Sequence, residues 1–306
     1  MGLPAKKFEA DPRRWQRVWS IGIYAGNSPL SLSPDAHNPV LTARQVTDVD
    51  AYYVADPFLL YDEHADHSKW HMLFEVLIRA ARRGVIGHAT SSDARIWKYD
   101  RVVLEEPFHL AYPQVFAWDN QVYLLPETLD HNAVRLYEAT DFPLQFQPAA
   151  DLVSGRWADP TIFHHQGLWW LLACSTPFEN RTLHLFFAEH LRGPWQAHPR
   201  NPIVADDRRI ARPGGRVRVV NQRLIRFAQD CEPRYGSRLR AIEILHLSPT
   251  EYEECECVES PVLQPGGGEW NSVGMHHMDA NQLADGSWIA SVDGDTFQPG
   301  PDEAYA

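Results

Sequence analysis

The chain repeats one short pattern, in which an Ala-Asp-Pro tripeptide precedes an apolar strand, a turn and an aromatic strand. The first copy is Ala55-Asp56-Pro57 and the second is Ala158-Asp159-Pro160. A weaker copy, Ala111-Tyr112-Pro113, lies between them. Repetition of one supersecondary unit at a period of roughly fifty residues is typical of a β-propeller. Such a fold directs the first strand of each blade toward one axis, so Asp56 and Asp159 are predicted to meet in one pocket.

The 306 residues suffice for one domain with five blades. We therefore predict an all-β fold, a single five-bladed β-propeller over residues 18–297, with a polar N-terminal arm at 1–17 and a tail at 298–306. The segment 18–26 alternates like a strand and precedes the first blade. This N-terminal strand is predicted to complete the last blade and close the ring, which removes free sheet edges.

Charge and composition limit the ligands and partners. A net charge of −12 argues against non-specific nucleic-acid binding, which needs a basic surface. No apolar run has the roughly eighteen residues needed to span a membrane, and the first residues lack the apolar segment of a secretory signal. The four cysteines form no Cys-x-x-Cys pair, so we expect free thiols in a reducing compartment and a cytoplasmic location.

The two Ala-Asp-Pro segments resemble the first and third blades of five-bladed glycoside hydrolases of families 43, 32, 62 and 68. The resemblance implies that Asp56 is the general base, or the nucleophile in retaining relatives. It implies that Asp159 stabilises the transition state or tunes the pKa of the acid. Family 43 enzymes carry that acid at the start of blade four in a Glu-Gly-Pro segment. Here the segment is Ala211-Arg212-Pro213, and an arginine does not donate a proton at neutral pH.

Another residue must therefore donate the proton that glycoside cleavage requires. The candidates are Glu127, Asp230 and Glu75, each of which ends an apolar strand. We favour Glu127 because burial beside a strongly apolar strand raises the pKa of a carboxyl group. The alternative is that Glu127 is a loop carboxylate that caps a turn.

Further candidates for substrate binding lie near the predicted starts of the blades. His109 and Tyr112 flank blade two, and the sequence His276-His277-Met278-Asp279 begins blade five. One of the two histidines is expected to reach a ligand or metal, or to bond a strand carbonyl. The family 43 resemblance also implies a possible Ca²⁺ on the axis, although the residues identify no ligand set for a metal.

Arg212 and Arg216 lie at the start of blade four, where one of them is expected to face the axis. Arg212 would then pair with Asp159, or bind a sugar carboxylate or phosphate. Five-bladed mannoside phosphorylases hold phosphate with basic residues, so phosphorolysis remains a second option for the reaction.

Four longer strings resemble the N-terminal propeller domain of glucosamine inositolphosphorylceramide transferases and their bacterial stand-alone relatives. The strings cover residues 19–24, 106–113, 210–216 and 274–279, and the resemblance spans about residues 18–295. In the plant enzymes the transfer chemistry belongs to a separate C-terminal domain. Two hypotheses follow: a glycosidase-like enzyme that acts on a carbohydrate or glycoconjugate, or a non-catalytic glycan-binding partner of a glycosyltransferase or formyltransferase.

Overall fold

The computed structural model describes residues 15–63 and 69–299. Within these residues the strands form five antiparallel sheets, which are the blades of a β-propeller and confirm the predicted fold class. Most of the predicted arm at 1–17 and tail at 298–306 lies outside the described residues.

The strands are numbered in chain order. They are β1 (Trp15–Ser28), β2 (Ser31–Pro34), β3 (Ala51–Asp62), β4 (Lys69–Ile78), β5 (Arg83–Ser91), β6 (Lys98–Leu104), β7 (Ala111–Trp118), β8 (Gln121–Glu127), β9 (Ala133–Asp141), β10 (Gln145–Ser154), β11 (Ala158–His165), β12 (Leu168–Cys174), β13 (Leu183–Ala188), β14 (Gln196–Ala197), β15 (Arg212–Pro213), β16 (Arg218–Val220), β17 (Arg223–Asp230), β18 (Arg238–Leu247), β19 (Tyr252–Glu256), β20 (Met278–Gln282) and β21 (Trp288–Pro299).

Four blades use consecutive strands, and the fifth joins the two ends of the chain. Blade one is β3–β6, blade two β7–β10, blade three β11–β14 and blade four β15–β19. Blade five has the order β20-β21-β1-β2, and β1 pairs with β21 from Trp15↔Pro299 to Gly26↔Trp288. The N-terminal strand β1 thus closes the ring, as predicted, and Ser31–Pro34 folds back onto β1 as the outer strand of blade five.

The apolar core is divided among the five spaces between neighbouring blades. Each space holds one cluster of buried side chains from the two facing sheets. Representative members, from the blade one–two space around the ring to the blade five–one space, are Phe58 and Leu124, Leu125 and Ile162, Trp170 and Val217, Phe227 and Met278, and Ile21 and Val54. Most aromatic residues serve this packing, which leaves the axis to polar groups.

The Ala-x-Pro repeats distort the first strands of blades one, two and three in the same way. The pairing register shifts across Ala55/Phe58, Ala111/Gln114 and Ala158/Thr161. The residue before each proline has a positive φ of 52°, 49° and 47° at Asp56, Tyr112 and Asp159. A β-bulge redirects side chains, and positive φ is uncommon for residues other than glycine. The repeat therefore encodes a bulge that aims one side chain per blade toward the axis.

Polar and aromatic contacts fill the axis on one side of these bulges. Arg216 donates from Nε to Asp279 Oδ1 at 2.8 Å and from Nη2 to the Val115 carbonyl at 2.9 Å. Its guanidinium lies 5.5 Å from the centroid of the Phe58 ring. These contacts join blades one, two, four and five across the axis.

In the part of the chain that the structure describes, no helix has the length and apolar character required to cross a membrane. The four cysteines are free thiols, as predicted, and of these Cys255 is exposed while Cys174, Cys231 and Cys257 are buried.

Candidate functional site

Five carboxyl groups from four blades lie near the propeller axis. They belong to residues that are 0–6% exposed, namely Asp56, Glu75, Glu127, Asp159 and Asp293. Asp56 and Asp159 occupy bulges in first strands, Glu75 and Glu127 pair with the alanines that precede bulges, and Asp293 lies in β21. The charges of Asp293 and Asp159 both raise the pKa of Asp56, after burial, which is the larger cause. The predicted convergence of Asp56 and Asp159 is therefore present.

Arg212 binds two of these carboxyl groups and uses all its donors within the protein. It donates from Nε to Asp159 Oδ2 at 2.6 Å and from Nη2 to Asp159 Oδ1 at 3.2 Å and Glu127 Oε2 at 3.4 Å. Its Nη1 donates to the Pro177 carbonyl at 2.8 Å and Asn180 Oδ1 at 2.9 Å. A guanidinium has five N–H groups, so none remains for an anionic ligand. We therefore correct the expectation that Arg212 binds a sugar carboxylate or phosphate: it positions Asp159 and Glu127.

Glu127 has the properties of a carboxyl group that stays protonated at neutral pH. Burial, followed by the negative charge of Asp159, raises its pKa to about 8, against a smaller opposing effect of Arg212. Its Oε2 accepts the backbone N–H of Asp159 at 3.0 Å. Because Oε2 takes both contacts, the second oxygen is the one available to hold the proton.

Glu75 forms a second acidic position beside Glu127. Burial and then the charge of Glu127 raise its pKa to about 8. Tyr53 donates its hydroxyl to Glu75 Oε1 at 3.4 Å, and His109 Nε2 lies 3.5 Å from the same oxygen. His109 accepts the Gly84 N–H on Nδ1 at 2.9 Å, so its proton is on Nε2 and faces Glu75. His109 therefore lies at the site, with its side chain 31% exposed.

Asp56 faces two histidines from the start of blade five. His276 Nε2 and His277 Nδ1 each lie 3.9 Å from Asp56 Oδ1, an oxygen that is buried and has no hydrogen-bond partner. Asp293 Oδ1 accepts His276 Nδ1 at 2.7 Å, and its Oδ2 accepts the Asp56 N–H at 3.1 Å. Asp56, His276 and Asp293 each place a potential ligand atom within 4.8 Å of the others. These residues are the group at the site that is suited to hold a metal.

Two aromatic residues line the wall next to His276. Trp19, from the closing strand β1, stacks on the His276 ring with centroids 3.9 Å apart. Tyr235, from the β17–β18 loop, meets the same ring edge-on at 5.1 Å and lies 5.2 Å from the Arg212 guanidinium. An N-terminal strand thus contributes directly to a site built otherwise from later blades.

Three other predicted site residues have structural partners instead. Tyr112 is fully buried and its hydroxyl bonds Thr161 Oγ1 at 2.8 Å and accepts the Gly215 N–H at 2.7 Å. Asp279 pairs with Arg216, as described above. Asp230 accepts Arg240 Nη2 at 2.7 Å on Oδ2 and the Glu232 N–H at 2.9 Å on Oδ1. These contacts occupy the three side chains, so we leave them out of the proposed site, and Asp230 is no longer a candidate acid.

Sequence reasoning missed several residues at the site. Asp293, Tyr235 and Tyr53 had no part in the predicted constellation, and Gln229, which donates to Asp159 Oδ2, was also absent from it. Only Asp293 had a usable signal, because it follows an apolar strand as Glu75 and Glu127 do. The tyrosines come from a loop and a strand margin, where the repeat gives no guide to direction.

Solved structures with the same fold include carbohydrate-active enzymes. The chain aligns with β-1,2-mannobiose phosphorylase from Listeria innocua with a TM-score of 0.61 and 15% identity, over 89% of this chain and 96% of that one. It aligns with the exo-β-1,3-galactanase 1,3Gal43A from Clostridium thermocellum with a TM-score of 0.58 and 14% identity, over 70% of this chain and 51% of that one. At these identities the likeness establishes the fold alone.

Sequence comparison identifies closer relatives. The family profile described as "Glucosamine inositolphosphorylceramide transferase 1, N-terminal" matches residues 14–295. The chain is 34% identical to glucosamine inositolphosphorylceramide transferase 1 of Oryza sativa subsp. japonica over 92% of its own length and 40% of the rice protein. The Arabidopsis thaliana protein of that name is also 34% identical, over 92% of this chain and 39% of its own length. The chain thus spans about two fifths of these relatives, and it belongs to the glucosamine inositolphosphorylceramide transferase 1 N-terminal family.

Proposed function

We propose that the axial pocket is a carbohydrate-active site that cleaves or transfers a glycosidic bond of a glycan or glycoconjugate. The main support is that Glu127, whose pKa is raised to about 8, and Asp56 are two buried carboxyl groups that both feel the charge of Asp159. Glycoside chemistry requires a proton donor and a second carboxylate on opposite sides of one bond. Here the two groups come from different blades, as the two sides of one bond require.

Each residue has a distinct role in this proposal. Glu127 donates a proton to the leaving oxygen, and Asp56 acts as the base or the nucleophile. Asp159 is a positioning residue, because it holds Arg212 and its charge helps to keep Glu127 protonated. Glu75 is the rival acid, since burial and its neighbours give it a pKa similar to that of Glu127.

The test is a hydrolysis screen that compares natural glycans with nitrophenyl glycosides. General acid catalysis contributes about 10²- to 10⁴-fold to a rate. Nitrophenolate leaves without protonation, so Glu127→Gln should slow natural glycans far more than nitrophenyl glycosides, whereas Asp56→Asn should slow both. The exposed Glu189→Gln is the matched control and should change neither. The acid would instead be Glu75 if Glu127→Gln slowed the hydrolysis of both substrate types equally while Glu75→Gln slowed natural glycans far more than nitrophenyl glycosides.

A second candidate function has one observation in its favour. Arg212 binds both Asp159 and Glu127, and such pairing is also what a non-catalytic glycan-binding pocket needs to keep buried carboxyl groups fixed. The chain would then be a partner of a glycosyltransferase or formyltransferase, consistent with relatives that are much longer. In that case Asp56→Asn should change the affinity for a glycan, which a thermal-shift assay measures, and no glycan in the screen should be hydrolysed.

We also propose a cytoplasmic location, with the support of the four free thiols. Alkylation of living cells before lysis, followed by mass spectrometry of the chain, should label the exposed Cys255 and reveal no disulfide. A disulfide at any of the four positions would contradict this location.

A further inference from the structure

Blade five has a cavity of about 710 Å³ on the face of β1 that is turned away from the axial site. Successive side chains of a strand point to opposite faces of the sheet. Trp19 stacks on His276 at the axial site, whereas the next residue, Ser20, lines the cavity. Small-ligand pockets have volumes of about 300–1,000 Å³. The cavity is therefore large enough for a ligand, and it lies across β1 from the ring of His276.

The indole ring of Trp270 lies in the wall of this cavity, against two strands that carry no side chain at that point. A Cβ atom at Gly22 of β1 would lie 2.5 Å from Trp270 Cη2, and one at Gly294 of β21 would lie 2.8 Å from Trp270 Cζ3. Because Cβ atoms do not make contacts under 3.0 Å, any other residue at either position would displace the ring. Trp270 is only half-buried, so the two glycines support the ring while part of it stays open to the cavity.

Three polar groups at the cavity have no hydrogen-bond partner. Asn271 is 4% exposed and donates from Nδ2 to the Tyr24 hydroxyl at 3.3 Å, but its buried Oδ1 accepts no hydrogen bond. That oxygen lies beside Gly268, which also lines the cavity. Among the residues that the structure describes, the Ser20 hydroxyl and the Trp270 indole N–H also lack partners. The cavity thus offers a free acceptor, a free donor and a hydroxyl that can do both.

This combination of groups matches a sugar better than it matches water or an ion. Water can satisfy the polar groups singly, but it gains nothing from an indole ring placed beside them. A sugar packs its C–H face on an aromatic ring, and its hydroxyl groups both donate and accept hydrogen bonds. The charged residues of the lining are two acidic and two basic ones, so the cavity has no charge excess to attract an ion; they are Asp35, Glu269, Arg44 and Arg79.

We propose that the blade-five cavity is an accessory binding site for a neutral oligosaccharide, with Trp270 as the surface on which a sugar ring packs. Ser20 and Asn271 supply hydrogen bonds to sugar hydroxyl groups. The site takes no part in bond cleavage, since it lies across β1 from the axial carboxyl groups. The inference does not depend on the proposed function, because binding in this cavity is measured without turnover.

The test is isothermal titration calorimetry of the full chain with cellotriose, maltotriose, mannotriose and galactotriose, and with trigalacturonate as the charged comparison. We expect at least one neutral trisaccharide to bind, and trigalacturonate to bind more weakly than that sugar. Absence of binding by all four neutral sugars at millimolar concentration, or tighter binding of trigalacturonate, overturns the proposal.

Variants then locate the bound sugar. Trp270→Ala should weaken its binding by about tenfold or more, because truncating a tryptophan that anchors a ligand removes much of the contact. Trp118→Ala is the matched control, since Trp118 is an exposed tryptophan of blade two, and it should bind like the wild type. Asp56→Asn should also bind like the wild type. Equal affinity in Trp270→Ala and wild type overturns the proposal, as does loss of binding in Asp56→Asn, which assigns the sugar to the axial site.

A milder variant keeps the proposal testable if Trp270→Ala fails to fold by circular dichroism. Ser20→Ala removes one hydroxyl group from the cavity and should weaken binding by roughly 2- to 10-fold. Unchanged affinity in Ser20→Ala would then contradict the placement of the sugar in this cavity.

Discussion

Replacing Glu127 with glutamine should stabilise the protein in alkaline solution and leave its stability in acid nearly unchanged. Glutamine has the shape of the protonated carboxyl group, and its carbonyl oxygen can accept the Asp159 N–H and the Arg212 contact that Glu127 Oε2 accepts now. The substitution therefore removes the ability to ionise while it preserves the contacts.

The size of the effect follows from the pKa of Glu127, which folding raises from 4.5 to about 8. Between these pH values the folded chain keeps a proton that the unfolded chain has released. Wild-type stability must then fall as pH rises, by up to about 1.4 kcal/mol per pH unit from this group. The stabilisation is fully present below pH 4.5 and is lost as the pH passes through about 8. Glu127→Gln escapes this loss, so its advantage should reach about 2–4 kcal/mol at pH 8 relative to pH 5.

Urea unfolding followed by tryptophan fluorescence, at one-unit steps from pH 5 to pH 9, measures this difference. The exposed Glu189→Gln is the control and should run parallel to the wild type. A pH-independent difference between Glu127→Gln and wild type, or an advantage that shrinks as pH rises, would refute the conclusion that Glu127 is held protonated.

Three other predictions concern the scaffold of the site. Arg212→Met should lower the free energy of unfolding by about 3–5 kcal/mol because it leaves Asp159 buried without its cation, whereas the exposed Arg209→Met should cost less than about 1 kcal/mol; urea unfolding at pH 7 distinguishes them. Gly215→Ala should lower the free energy of unfolding by about 3 kcal/mol or more in the same assay, since φ is +148° and a Cβ would lie 2.0 Å from the Met278 carbonyl oxygen. Gly167→Ala has open space around the new Cβ and should cost only about 1 kcal/mol, so equal losses in the two variants would contradict this account. In native protein a thiol reagent such as DTNB should react rapidly with Cys255 alone, and rapid reaction of several thiols would contradict the burial of the other three.

The fold was predictable because short sequence segments determine each repeated unit. Each Ala-x-Pro segment specifies the same bulge, and the apolar alternation that follows specifies the strand behind it. The short strand Ser31–Pro34 was not predicted, since its four residues are largely exposed and show no apolar alternation.

The site was predictable only where its residues belong to the repeat. Asp56 and Asp159 occupy equivalent positions, and Glu127 and Glu75 end equivalent second strands, so radial symmetry brings them together. Whether a carboxyl group at such a position faces the site or pairs with a neighbouring side chain was harder to predict. Asp230 also ends a second strand, yet it pairs with two arginines of β18. Tyr235 and Trp19 reach the site from a loop and from the closing strand, and their directions depend on tertiary packing that no local pattern records.

The most direct test of the axial site is a crystal structure of the Asp56→Asn chain with a glycan that raises its melting temperature. We expect the sugar in the axial pocket, with its glycosidic oxygen about 2.6–3.2 Å from a carboxyl oxygen of Glu127. A glycan bound on the outer surface of the blades, with the axial carboxyl groups sealed from it, would contradict the proposed site.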